Sequence, residues 1–148
     1  MRHAFLFFLI FTGCGHTWSQ YRIDPCENQL AYERQTERSF YAALVTLHTN
    51  EYEITEANPN KKTIRASLAR KVWSMNSIRM KTYEVDWWVS VKDDGTVVLE
   101  TAPGEMPKRQ YNVSMRWAKQ IAKVFPANRC RAVEALRAEV AQKGLVPD

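Results

Sequence analysis

The sequence predicts an α+β domain: an antiparallel meander sheet of about four strands packed against helices, in the order α-β-β-β-β-α-α. Three observations carry this expectation. Phe40, Leu44 and Leu47 recur at helical spacing. Tyr83, Val85, Trp87, Val89 and Val91 occupy alternate positions, the period of a half-buried strand. Trp117, Ile121 and Phe125 return to helical spacing, ahead of Val133, Leu136 and Val140 on a last helix. A sheet with helices over one face buries all of these stripes.

The elements follow in order. The first helix is expected to start between residues 25 and 33 and to run to about residue 48, with Asn50 as its stop and Glu33, Arg34, Glu37 and Arg38 as a solvated early half. Residues 52–56 alternate as a short strand, Asn58-Pro59-Asn60 turns the chain, and residues 63–66 return. Residues 67–77 mix apolar Leu68, Val72, Trp73 and Met75 with Arg70 and Lys71, and Asn76-Ser77 reads as a turn. Ile78, Met80 and Thr82 alternate, but the parity changes at Tyr83, which predicts a bulge or bend near residue 82.

The hairpin after residue 91 has an arguable register. A two-residue Asp94-Gly95 turn would set Glu100 opposite Val89, a charge in the apolar face. A three-residue Asp93-Asp94-Gly95 loop instead pairs Val91 with Val97, Val89 with Leu99 and Trp87 with Thr101, with Gly95 in the left-handed position. Trp87 is then core, and Trp88 is exposed with Glu84, Asp86 and Ser90 on the other face. Beyond the loop at residues 103–107, the next helix is expected to start at Ser114 as N-cap and to end at Pro126. A last helix is expected over residues 128–143, with Gly144 as its stop.

The chain has 148 residues, 45% hydrophobic and 25% charged, with a formal charge of +5. These values fit one globular domain and exclude a wholly disordered or fibrous chain. No apolar run reaches the ~18 residues a spanning helix needs. The N-terminus is different in kind. Arg2 is followed by an unbroken apolar run at residues 4–11 and then by Thr12, Gly13 and Cys14, the layout of a short export signal.

The run ends in Phe11-Thr12-Gly13-Cys14, which resembles the lipobox of bacterial lipoproteins, with Phe11 where leucine is usual. The resemblance covers residues 1–14. It implies a signal peptide at 1–13 and a lipidated Cys14. With Gly15 rather than Asp after the cysteine, it also implies delivery to the outer membrane, the domain facing the periplasm. Residues 14–26 would be the lipidated end and tether, 27–144 a single α+β domain and 145–148 a tail. More than one acyl chain makes such an anchor stable. In an oxidising compartment the remaining pair, Cys26 and Cys130, predicts one disulfide; two buried free thiols are the other reading.

No catalytic constellation is legible. His48 is the one histidine within the domain, and no G-x-S-x-G motif or phosphate-binding glycine loop is present. Neither His16 nor His48 has a second metal ligand at close spacing, so no metal or cofactor is expected. Glu84, Asp86 and Glu100 read as a solvated sheet face. The expectation is therefore a non-enzymatic envelope lipoprotein, an accessory subunit binding a membrane-associated protein complex through Trp88, Arg79, Lys81, Lys61 and Lys62. A glycan- or lipid-binding module at the cell wall is the alternative, with a concave apolar pocket beside Trp88 or Tyr111 as its mark. A small hydrolase would need a close-set buried carboxylate pair. An anionic glycan or lipid suits the basic surface, and nucleic acid is not expected.

Overall fold

The structure is a computed structural model that describes residues 20–23, 34–74, 78–101 and 108–146. Among them the chain forms β1 (Gln20–Ile23), α1 (Gln35–Thr49), β2 (Glu53–Asn58), β3 (Thr63–Ser74), β4 (Arg79–Val91), β5 (Val97–Thr101), α2 (Lys108–Arg129) and α3 (Val133–Gln142). The α+β architecture expected from the stripes is present. The four expected strands form the meander β2-β3-β4-β5, every pair antiparallel. A fifth strand, β1, lies within the stretch expected to be tether. It pairs with β5, so the sheet order is β1-β5-β4-β3-β2. The chain leaves one edge of the sheet at β1, passes through α1 and re-enters at the opposite edge.

α1 is buried along nearly its whole length, with Phe40, Leu44, Val45 and Leu47 in the core beside Val85, Trp87, Val89 and Leu99 of the sheet. Its first turn is pinned to the β4–β5 loop. Thr36 Oγ1 donates to Asp93 O at 3.1 Å and Ser39 Oγ to Gly95 O at 2.7 Å. Arg34, left-handed at φ 51°, pairs with Glu37 and with Glu134 of α3, each at 2.7 Å. Trp117, Ile121 and Phe125 of α2 and Leu136 and Val140 of α3 complete the core.

The β4–β5 register is the three-residue one: Val91 faces Val97, Val89 faces Leu99 and Trp87 faces Thr101. Gly95 has φ 78°, and Lys92 N donates to Thr96 O to close the loop.

Several expectations are corrected. The ambiguous stretch is strand: β3 continues to Ser74 and pairs with β4 in one unbroken register. There is no bulge near residue 82. The apolar residues change faces there because Arg79, Met80, Lys81 and Thr82 are all exposed, so neither face is a core face. The irregularity lies elsewhere, in β2, between Ile54 and Glu56. Trp73, expected to seek burial, is 54% exposed. Ser114 is buried inside α2 rather than capping it, and Pro126 lies within the helix, which runs on to Arg129. Proline removes one hydrogen-bond donor, and the burial of Phe125 and Arg129 holds the final turn. Asn128 belongs to α2, and α3 begins at Val133. Gly144 ends α3 at φ 60°, but Leu145 beyond it is buried and Val146 packs on the core. Asn76-Ser77 lies outside the described residues.

Two arginines contradict the solvated reading of helix polar faces. Arg38 is buried in α1 and Arg129 is fully buried at the end of α2. Among the described residues no group accepts a hydrogen bond from Nε of Arg38 or from any of the three guanidinium nitrogens of Arg129. Burial, and then the neighbouring Arg38, holds the Arg129 guanidinium below its ordinary range, with Asp94 acting the other way.

Candidate functional site

The helices pack on one face of the sheet, and the candidate site is on the other. Even-numbered positions of β4 point there: Glu84 and Asp86 are exposed, Trp88 and Ser90 half-buried. Strand pairing brings Arg65 of β3 and Glu100 of β5 to either side of Trp88. The Arg65 guanidinium lies 5.4 Å from the Trp88 ring centre, a cation–π contact. Its Nε is 3.5 Å from Glu56 Oε2.

That arrangement depends on the irregularity in β2. Ile54 pairs with Ala66 and Glu56 with Arg65, so Thr55 is an extra residue opposite one partner. Thr55 Oγ1 donates to Arg65 O at 3.2 Å. The bulge sets Glu56 on the open face beside Arg65 and returns Ala57 to the core.

Two depressions flank Trp88. One, of about 290 Å³, is lined by Glu56, Lys61, Arg65, Trp88, Ser90 and Glu100, among others. The second, of about 320 Å³, lies between Thr55, Ser67, Asp86 and Trp88. Trp88 and Arg65 line both. A mixed-charge groove around a half-buried tryptophan suits a peptide segment or a polar ligand, since such aromatics anchor binding while charged rims align it.

The five residues expected to bind a partner are not one patch. Asn58 Oδ1 accepts from Asn60 N at 3.1 Å and Lys61 N at 2.9 Å, which shapes the β2–β3 turn. Lys61 lines the groove. Lys62, left-handed at φ 55°, turns the other way and sets Nζ 5.3 Å from the ring centre of Phe40 on α1. Arg79 and Lys81 lie towards the far end of β4; Arg79 is nine positions from Trp88, roughly 30 Å at strand rise. Ser90 was placed on the face of Trp88 by parity, and Glu56 is the groove residue with no role legible in the sequence. The turn at Asn58-Pro59-Asn60 and the strands on either side of it were the signal for Arg65, but the bulge hid its pairing with Glu56.

Cys130 is disulfide-bonded. Cys14 and Cys26 lie outside the described residues, as does the side chain of Tyr111. His48 is exposed in the last turn of α1. Among the described residues no cluster of His, Cys, Asp or Glu could hold a metal ion, and no helix is long and apolar enough to cross a membrane. No protein-family model matches the chain, and no curated protein matches its sequence.

Proposed function

We propose that the chain is a non-catalytic lipoprotein of the bacterial envelope that holds a segment of a membrane-associated protein complex in the groove beside Trp88. The carrying observation is the groove itself: Trp88 and Arg65 line two adjoining depressions, with Arg65 over the indole and Glu56 beside Arg65. The location rests on the lipobox at Cys14. The disulfide at Cys130 supports it, because such bonds persist in oxidising compartments. With Cys14 assigned to lipid, Cys26 is the cysteine left to pair with Cys130.

A photo-crosslinker at Ser90 in the native envelope tests the groove. One dominant protein adduct is expected, identified by mass spectrometry and lost in Trp88→Ala. The melting temperature of that variant should be nearly unchanged, because the indole lies outside the core cluster. Equal loss of adduct and of melting temperature would make Trp88 a structural residue and end the proposal. The same indole with Ser90 and Asp86 nearby also suits a sugar ring. Retention on purified peptidoglycan, lost in Trp88→Ala, would move the assignment to a glycan-binding module.

A further inference from the structure

The sheet has a second distinctive end. Where β3 and β4 run past the helices, they form a two-stranded arm whose described side chains are exposed or half-exposed from Ala69 and Glu84 outward. Trp73, Ile78 and Met80, at 54%, 80% and 55% exposure, are all on it, and among the described residues they are the large hydrophobic side chains left in solvent. Trp73 and Met80 are directly paired across the strands, so they form one apolar patch on one face. The cations are arranged around this patch. Lys71 shares its face, while Lys81, paired with Val72, and Arg79, paired with Ser74, are on the other. Lys71, Arg79 and Lys81 make no ion pair with a described residue. Between Glu56 and Glu84 the sequence contains no carboxylate.

We infer that this arm is a membrane-contact element that enters the headgroup region of an anionic phospholipid bilayer. The chemistry favours lipid over a protein partner. A tryptophan, an isoleucine and a methionine on a narrow two-stranded ribbon present exposed apolar area, which suits the interface between headgroup and acyl chain. Tryptophan is enriched at that depth. Lysine and arginine on both faces of the ribbon can keep their heads among phosphates while their stems follow the apolar side chains inward. Lys71, Arg79 and Lys81 complement an anionic surface, and the arm's one carboxylate, Glu84, stands at its base opposite Ala69. This contact is separate from the groove at Trp88 and does not rest on it.

The test uses the full chain and vesicles of phosphatidylglycerol and phosphatidylcholine whose acyl chains carry bromine, which quenches nearby indoles. The chain has five tryptophans, so wild type is compared with Trp73→Phe. Wild type should be quenched on anionic vesicles, and the Trp73→Phe variant should lose most of that quenching. The apolar N-terminal residues are the same in both proteins and cancel in the difference. Neutralising Arg79 and Lys81 together (R79Q/K81Q) should weaken the arm's contact about thirtyfold and leave the far-ultraviolet spectrum and melting temperature unchanged. Raising the salt concentration should do the same progressively. Equal quenching of wild type and Trp73→Phe would overturn the inference. So would quenching on pure phosphatidylcholine that R79Q/K81Q leaves unaltered. Loss of the Ser90 adduct with retained quenching would strike the groove proposal and leave this one standing.

Discussion

Arg129 shows what a single buried charge does to its surroundings. Its three guanidinium nitrogens are buried without hydrogen-bond partners among the described residues, and Arg38 lies close enough to oppose it. Replacing such a group with an apolar side chain of similar length removes a desolvation cost of several kcal/mol. Arg129→Met is therefore expected to hold or raise the urea midpoint; a clear fall would mean that the guanidinium has a partner the apolar side chain cannot replace. Gly95 is coupled to it. A Cβ there would lie 2.7 Å from Nη2 of Arg129 and 3.2 Å from Ser39 Oγ, at φ 78°. Gly95→Ala should cost about 1–3 kcal/mol, from the left-handed backbone and the contact together. In the Arg129→Met background that cost should shrink, and a double-mutant cycle measures by how much.

Tyr52 gives the stability a pH dependence of predictable sign. Burial pushes its hydroxyl up to about 12, against the opposing effects of the Trp87 hydrogen bond and Arg70. Trp87 Nε1–H donates to Tyr52 Oη at 3.2 Å. The folded state thus holds the proton more tightly than the unfolded chain, whose tyrosine titrates near 10. The contribution is complete below pH 10 and is lost as pH rises towards 12, about 2–3 kcal/mol in all. Tyr52→Phe should flatten that part of the urea-midpoint profile. At neutral pH it should cost about 1–2 kcal/mol, because the Trp87 donor is left buried without its acceptor.

At the scale of elements, the β4–β5 hairpin was the most legible part of the sequence. Its register followed from one requirement, that Val89 not face Glu100, and from one glycine placed where a left-handed residue was needed. Adding a residue to the Asp93-Asp94-Gly95 loop should therefore destabilise the domain by several kcal/mol, since a shift of one position turns the Val97 and Leu99 side chains to the wrong face. An unchanged urea midpoint would count against this register. The opposite end of the same strand was illegible for a physical reason. Alternation reports burial on one face, and beyond Tyr83 the ribbon has no covered face, so the pattern dissolved while the hydrogen-bonded ladder continued. Ser114 and Pro126 misled in another way. Both are strong local signals, and both yielded to packing: Ser114 has Trp117 and Ala118 buried just after it, and Pro126 follows the buried Phe125. The groove was half-visible. Trp88 was identified by parity, but Glu56 reaches Arg65 through a bulge that leaves no mark in a six-residue strand.

Considered as a whole, the molecule separates its two outward-facing features along one long strand. The groove at Trp88 and the basic arm at Trp73 share β4 and the strand beside it, so a load on one can reach the other only through the sheet. The disulfide acts at the scale of the chain. A Cys26–Cys130 link would close a loop of about 100 residues, for which chain entropy gives roughly 4–5 kcal/mol. Cys26→Ser and Cys130→Ser should then lower stability by the same amount, and a reductant should add nothing to either. Unequal losses would exclude that pairing.

The short edge strand β1 has a consequence for geometry outside the fold. Its first residue, Gln20, is only six positions after Cys14. A fully stretched segment of that length measures roughly 20 Å. With an acyl anchor on Cys14, the body would be moored on a very short leash, which would hold it against the lipid and favour assemblies seated at that surface. Lengthening the leash by about ten Gly/Ser residues after Cys14 should leave the melting temperature untouched yet reduce the Ser90 adduct several-fold, by diluting the groove over a larger volume.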